Sequence, residues 1–200
     1  MSFRFLQIHR MRAVFLLVPL LFTMRMAAQS PGWEISSGVH AYYLPSPGFH
    51  IQSLQPVIQV GRSMPFRPSG SLGITLQVGY SRNRYQGDAV YIQSFLGYHP
   101  MLGQHLQAGI AIGAGYQRSF FSSSSLRWNG EEWTKGKSSH AVWQVPLQLR
   151  LGYRTSGARA DWTPFIAYQV HGQFKYSPDL TPLPVSNFLI GVQYAPNKPE

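Results

Sequence analysis

From Ala141 to Arg154 the chain alternates with period two. Trp143, Val145, Leu147, Leu149, Leu151 and Tyr153 share one parity, and Gln144, Gln148, Arg150, Gly152 and Arg154 share the other. Side chains alternate across an extended strand, so the large apolar groups all lie on one face, with an aromatic at each end. Trp143 and Tyr153 are ten residues apart, within the roughly 9–11 residues that a tilted strand needs to cross a bilayer.

The same rhythm recurs eight times after residue 30, bounded by Gly, Pro, Ser and Asn clusters. The first run places Trp33, Ile35, Val39, Ala41 and Tyr43 opposite Glu34, Ser36, Gly38 and His40. A weaker second run sets Ile58 and Val60 against Gln59 and Gly61, and a third sets Ile74, Leu76, Val78 and Tyr80 against Thr75, Gln77 and Gly79. Val90, Ile92, Leu96 and Tyr98 mark the fourth, and Leu106, Ala108, Ile110, Ile112 and Tyr116 the fifth. After Ala141–Arg154 come Ile166, Tyr168, Val170, Phe174 and Tyr176, then Phe188, Ile190, Val192 and Tyr194. Eight is an even number, as single-chain bacterial barrels require. The pattern predicts an all-β fold: an eight-stranded antiparallel up-and-down transmembrane β-barrel over residues 31–195, with a short C-terminal tail at 196–200.

A soluble lipocalin-like barrel also alternates, but with its apolar face inward. The second face decides between them. It carries Gly, Ala, Ser and Gln rather than the Lys, Glu, Asp and Thr of a wetted surface, which suits a crowded lumen. Charged residues make up 12% of the chain, about half the usual share of roughly 25%. With the first strand rising from the periplasm, Trp33, Tyr98, Tyr153, Trp162 and Tyr194 fall at the periplasmic rim. Tyr43, Tyr80, Tyr116, Trp143 and Tyr176 fall at the outer rim, giving the two aromatic girdles of a membrane protein. The longest connection, residues 120–140, is then extracellular, and the short Thr155–Asp161 turn periplasmic. Met64–Ser71, also periplasmic, is less tight than that asymmetry asks.

The N-terminus reads separately. Arg10 and Arg12 precede the apolar run Ala13–Phe22, and Met26, Ala27 and Ala28 follow. A basic start, a short apolar core and small residues predict a secretory signal over residues 1–28, cleaved after Ala28, with Met1 or Met11 as the start. The run is short for a membrane-spanning helix, so a retained anchor is the weaker reading. Four of the 17 basic residues lie in this segment, which leaves 13 against 7 acidic groups, a net of about +6. That balance suits anionic lipid headgroups or lipopolysaccharide phosphates. No basic stripe interleaved with aromatics points to nucleic acid. The chain has no cysteine, and so no disulfide, thiol nucleophile, thiolate metal site or lipid-bearing cysteine.

The Ala27-Ala28-Gln29 signal end, the eight amphipathic strands and the late Gly191-Val192-Gln193-Tyr194 resemble the small outer-membrane β-barrel domain proteins, often labelled porin-family. The likeness covers about residues 31–195. It implies residence in the outer membrane of a Gram-negative bacterium, insertion by the barrel assembly machinery, and a monomer among outer-membrane lipid and lipopolysaccharide. Such families usually end on an aromatic, whereas here Tyr194 is followed by Ala195–Glu200.

Three groups of residues are candidates for chemistry. The first is the polar set of the second face: Glu34, His40, Arg150, Arg154, His171 and Lys175. Buried charges need partners, so Glu34 is expected to pair with Arg150 or Arg154 and plug the lumen, with a narrow ion or proton path as the alternative. The second is His140 with Ser138, Ser139, Glu131 and Glu132, an arrangement to weigh because some barrels of this kind modify lipid A. It lacks the His-x-Ser strand pattern of the deacylases, so a solvated loop histidine and no enzyme activity are expected. The third is the loop with Phe120, Phe121, Leu126, Trp128 and Trp133 among cations, suited to surface contact or to folding over the barrel mouth. His99 and His105 flank a turn that reads as structural. No cofactor and no metal are expected.

Overall fold

The computed structural model describes residues 31–41, 55–66, 70–83, 87–121, 126–136, 138–174 and 181–197. Eight long strands account for most of them: β1 (Gly32–Ala41), β2 (Gln55–Pro65), β3 (Leu72–Ser81), β4 (Asp88–Tyr98), β5 (Leu106–Phe120), β6 (Ser139–Tyr153), β7 (Ala160–Phe174) and β8 (Leu183–Pro196). Each pairs antiparallel with its sequence neighbours, and β8 returns to β1. Trp33 lies opposite Tyr194, and the ladder continues to Ala41 opposite Ser186. The sheet is a closed eight-stranded antiparallel barrel.

The alternation sets which side chains enter. On β8, Ile190 is 62% exposed while the adjacent Leu189 is fully inside. Ile110 and Leu147 also face outward. The band of Val, Ile, Leu and aromatic side chains lies on the outer surface, and the Gln-rich parity fills the axis. A soluble barrel would carry the reverse. Val57, Tyr91, Phe165, Ala167 and Leu189 form a small apolar cluster inside the otherwise polar lumen. Pro146, fully buried in β6, has no N–H to give the ladder. The β5–β6 pairing accordingly runs from Ile112–Leu147 to Gly115–Gln144 with no pair between.

The two ends of the barrel differ. At one, called here the turn end, lie residues 66, 70–71, 99–105 and 154–159. Phe66 N–H donates to Leu72 O at 2.8 Å. Met101–Leu102 pairs back onto Leu106–Gln107 around Gly103, whose φ is 86°. Thr155–Ser156 pairs with Asp161–Trp162, so the reversal itself is only 157–160. At the loop end, the hairpin Leu126–Trp128 with Trp133–Lys135 stands between β5 and β6 in the chain. The ladder of β8 runs through Ala195 and Pro196, which pair with Asp161 and Ala160, and Asn197 N–H donates to Arg159 O at 2.9 Å. Ala195 is the last residue of the expected 31–195 barrel span, and Pro196 and Asn197 continue its hydrogen bonding.

Candidate functional site in the barrel lumen

Inward-facing polar side chains from every strand meet along the axis, and they fall into two groups. Towards the turn end, Arg150 of β6 reaches across the lumen to Glu34 of β1, Nη1 to Oε2 at 2.6 Å, with both side chains buried. The other carboxylate oxygen accepts a short hydrogen bond from Gln77 of β3. Gln77 Oε1 accepts from Gln93 of β4 at 2.9 Å, and Gln93 Oε1 from Gln144 of β6 at 3.4 Å. Arg150 Nη2 donates to Gln193 Oε1 of β8 at 2.8 Å, and the guanidinium lies 3.7 Å from the ring centroid of Phe165 of β7. A buried ion pair is tolerable only when its remaining hydrogen-bonding capacity is met. Here both carboxylate oxygens and both terminal guanidinium nitrogens are engaged, while Arg150 Nε has no hydrogen-bond partner.

Towards the loop end the network is neutral. Gln59 of β2 and Gln169 of β7 form a reciprocal amide pair across the barrel, at 2.9 and 3.4 Å. Gln59 Nε2 also donates to Tyr91 OH at 2.9 Å. The Tyr91 ring lies against Gly79, its register partner, where a Cβ would stand 2.2 Å from Cζ. Asn187 Nδ2 is 3.0 Å from His171 Nε2, and Gln173 donates to Gln117 at 3.1 Å. His40 and His171 line one cavity with Tyr91, Gln144 and Asn187. Its volume of about 20 Å³ is close to the roughly 10–15 Å³ that one water needs. Among the described residues, no three His, Asp or Glu side chains come together as a metal-holding group.

Glu34, His40, Arg150 and His171 are thus all buried in the lumen, with Glu34 and Arg150 in contact. Arg154 departs from the expectation. Its guanidinium pairs with Asp161 across the 154–160 turn at the edge of the barrel. It has the lumen parity but lies past the end of β6, where Asp161 is at hand and Glu34 is already held by Arg150 and Gln77. Lys175 lies outside the described residues.

Of the aromatics, Trp33, Tyr98, Tyr153 and Trp162 point outward at the turn end, and Tyr194 is half-buried among them. Trp33, Tyr194 and Trp162 are register partners across β1, β8 and β7, with the last two rings 4.8 Å apart. Tyr80, Tyr116 and Trp143 point outward at the loop end, and Tyr116 meets Trp143 edge to face at 5.3 Å. Tyr43 and Tyr176 lie outside the described residues. Next to this rim Arg118 stacks on Phe120 at 5.7 Å and donates to Ser139 Oγ at 3.1 Å. His140 is the register partner of Ser119 in the β5–β6 ladder, while Glu131 and Glu132 sit at the hairpin tip, their N–H groups on Asn129 Oδ1.

The sequence assigns no lumen contact to Gln59, Gln77, Gln93, Gln169, Tyr91 or Asn187, and it places His99 only beside a turn that reads as structural. Their parity was visible, but their partners lie on strands far apart in the chain. His99 belongs to a turn, and the glycines that make room for it, Gly97 and Gly109, are the only trace it leaves.

No protein-family model and no curated protein sequence matches the chain. By structure it is similar to the N-terminal β-barrel domain of Pseudomonas aeruginosa OprF, at 10% identity over 83% of this chain and 97% of that one, with a TM-score of 0.49. It is also similar to Ail, the attachment invasion locus protein of Yersinia pestis, at 13% identity over 83% and 96% of the two chains, again with a TM-score of 0.49.

Proposed function

We propose that this chain is an outer-membrane β-barrel with a structural or surface-contact role, its lumen closed by its own side chains, and that it is not an enzyme. The observation that carries this reading is the inversion of faces, in which apolar side chains ring the outside and amides and an ion pair fill the axis. Between Trp143 and Tyr153 the strand rises about 33 Å at roughly 3.3 Å per residue. With a tilt of roughly 35–45°, that is about 25 Å along the axis, the height of the apolar band of outer-membrane barrels. Exposed in water, such a band would drive association; lipid satisfies it.

In this reading residues 1–28 are removed on export, the barrel assembly machinery inserts the chain as a monomer, the turn end faces the periplasm, and the loop end meets lipopolysaccharide. An eight-stranded barrel is only wide enough to be filled by side chains, and the cavity inside is water-sized. The network offers structure rather than a route for solutes. Surface contact is the second strand of the proposal, because Trp133 is 65% exposed on the loop-end hairpin, and Arg118 stacks on Phe120 at the same end of the barrel.

The test is migration of membrane-fractionated protein on SDS gels with and without boiling. An outer-membrane barrel runs as a compact, heat-modifiable band from the detergent-extracted envelope. Recovery in the soluble fraction, with a single unshifted band, would overturn the reading.

A further inference from the structure

The turn between β4 and β5 carries a side chain into the lumen. His99 is the first residue after β4, outside the barrel wall, yet its ring is wedged edge-on between two glycines of that wall, with the Cε1 edge towards Gly97 and the Cδ2 edge towards Gly109. A Cβ on Gly97 would stand 2.3 Å from His99 Cε1, and a Cβ on Gly109 would stand 2.1 Å from Cδ2. No other residue type at either position leaves room for the ring. The backbone beneath is pinned: His99 N–H donates to Ser71 O at 2.6 Å, His99 O accepts from Gln107 Nε2 at 3.3 Å, and Ala108 N–H donates to Pro100 O at 3.2 Å. The ring atom Nε2 is buried with no hydrogen-bond partner. A neutral imidazole tolerates such a seat, and an imidazolium, with two N–H groups and a charge to solvate, does not.

The charges around the seat are few. β4 and β5 offer glycines and the amide of Gln107. β6 brings Arg150, whose register partner is Gly109 itself, and β1 brings Glu34, already occupied by Arg150 and Gln77. Of the other groups at this end, His105 is turned onto Tyr153 at 5.3 Å, and Arg154 is held by Asp161. A proton on His99 would therefore face an arginine with no uncommitted carboxylate to offset it.

We propose that the 99–105 turn is an acid-released latch on the turn-end mouth of the lumen: its imidazole is seated while neutral and expelled when protonated, which opens that mouth to water. The latch rests on the barrel geometry and not on the membrane assignment. Burial, and next the Arg150 charge, hold the seated imidazole down to about 4, with Glu34 opposing, whereas a released imidazole titrates near 6.5. The sign follows from proton linkage. Above about 6.5 seating is at full strength, it weakens as pH falls between the two values, and below about 4 the loss is complete. The seated-to-released ratio shifts by up to about 300-fold over that window.

The chain contains no cysteine, so Gln104→Cys at the exposed tip of the turn takes a single spin label. In the full refolded chain in detergent micelles, the label is expected to be immobilised at pH 7.5 and increasingly mobile as the pH is lowered to 3.5, reversibly. Heat-modifiable migration, unchanged at each pH, shows that the barrel itself persists. His99→Gln, which cannot charge, is expected to abolish the pH response. Gly109→Ala is expected to free the turn at pH 7.5, and His99→Ala to do the same at every pH should Gly109→Ala fail to fold. A label that stays immobile at pH 3.5, or a His99→Gln chain with the same transition as the parent, would overturn the proposal.

Discussion

Glu34 and Arg150 meet at 2.6 Å although their strands, β1 and β6, share no backbone hydrogen bond. The contact spans the lumen, so it braces the barrel across its axis, which no ladder bond can do. Removing one partner of a buried pair leaves the other charged and unmatched, at roughly 3–5 kcal/mol. Arg150→Met is expected to cost that much in urea unfolding from phospholipid vesicles, followed by tryptophan fluorescence. The double change Glu34→Leu with Arg150→Met should recover most of it. A single-variant cost below about 1 kcal/mol would show that the pair does not brace the wall.

The Arg154–Asp161 pair provides the contrast. Arg154 is 38% exposed, and exposed pairs contribute only about 0–1 kcal/mol. Arg154→Ala should leave the same unfolding midpoint nearly unmoved, and a loss matching that of Arg150→Met would contradict the placement.

Opposite faces of β8 make opposite predictions from adjacent residues. Leu189→Ala opens a cavity in the lumen and is expected to cost about 2–5 kcal/mol. Ile190→Arg, near the middle of the outer band, is expected to cost about 2–4 kcal/mol in a bilayer. Were the outer face wetted, the second change would be nearly neutral, so the pair of variants reads out the solvent directly.

Tyr91 and Gly79 form a matched pair. Gly79→Ala forces a methyl into the phenol ring and is expected to destabilise by about 1–3 kcal/mol. Tyr91→Leu removes the ring, so Gly79→Ala in that background should cost much less. Equal costs in the two backgrounds would place the ring elsewhere.

A lumen so filled should not conduct. Purified protein in planar bilayers is expected to show no stable openings of general-porin size, and sustained large conductance would refute the closed lumen.

Face and strand number were legible because they depend only on period two and on residue type. Each strand from Gly32 to Pro196 declares its inward parity within a few residues. Contacts across the lumen were harder. Gln59 and Gln169 pair because the stagger of eight strands brings β2 and β7 to the same height, a quantity that no local stretch encodes. Arg154 shows the same limit in reverse: parity pointed it inward, but one residue past the strand end the nearest carboxylate is a neighbour in the turn. His99 was hidden differently, its role written in the absence of side chains at Gly97 and Gly109 rather than in its own surroundings in the chain.

The seam between β1 and β8 joins Trp33 to Tyr194, about 160 residues apart. No shorter stretch of polypeptide can satisfy both of the wall's open borders, so a nascent or truncated chain carries two bare rows of amides beside a greasy surface. Such non-local zippering is slow. A chain that lacks its last strand is therefore expected to aggregate rather than close.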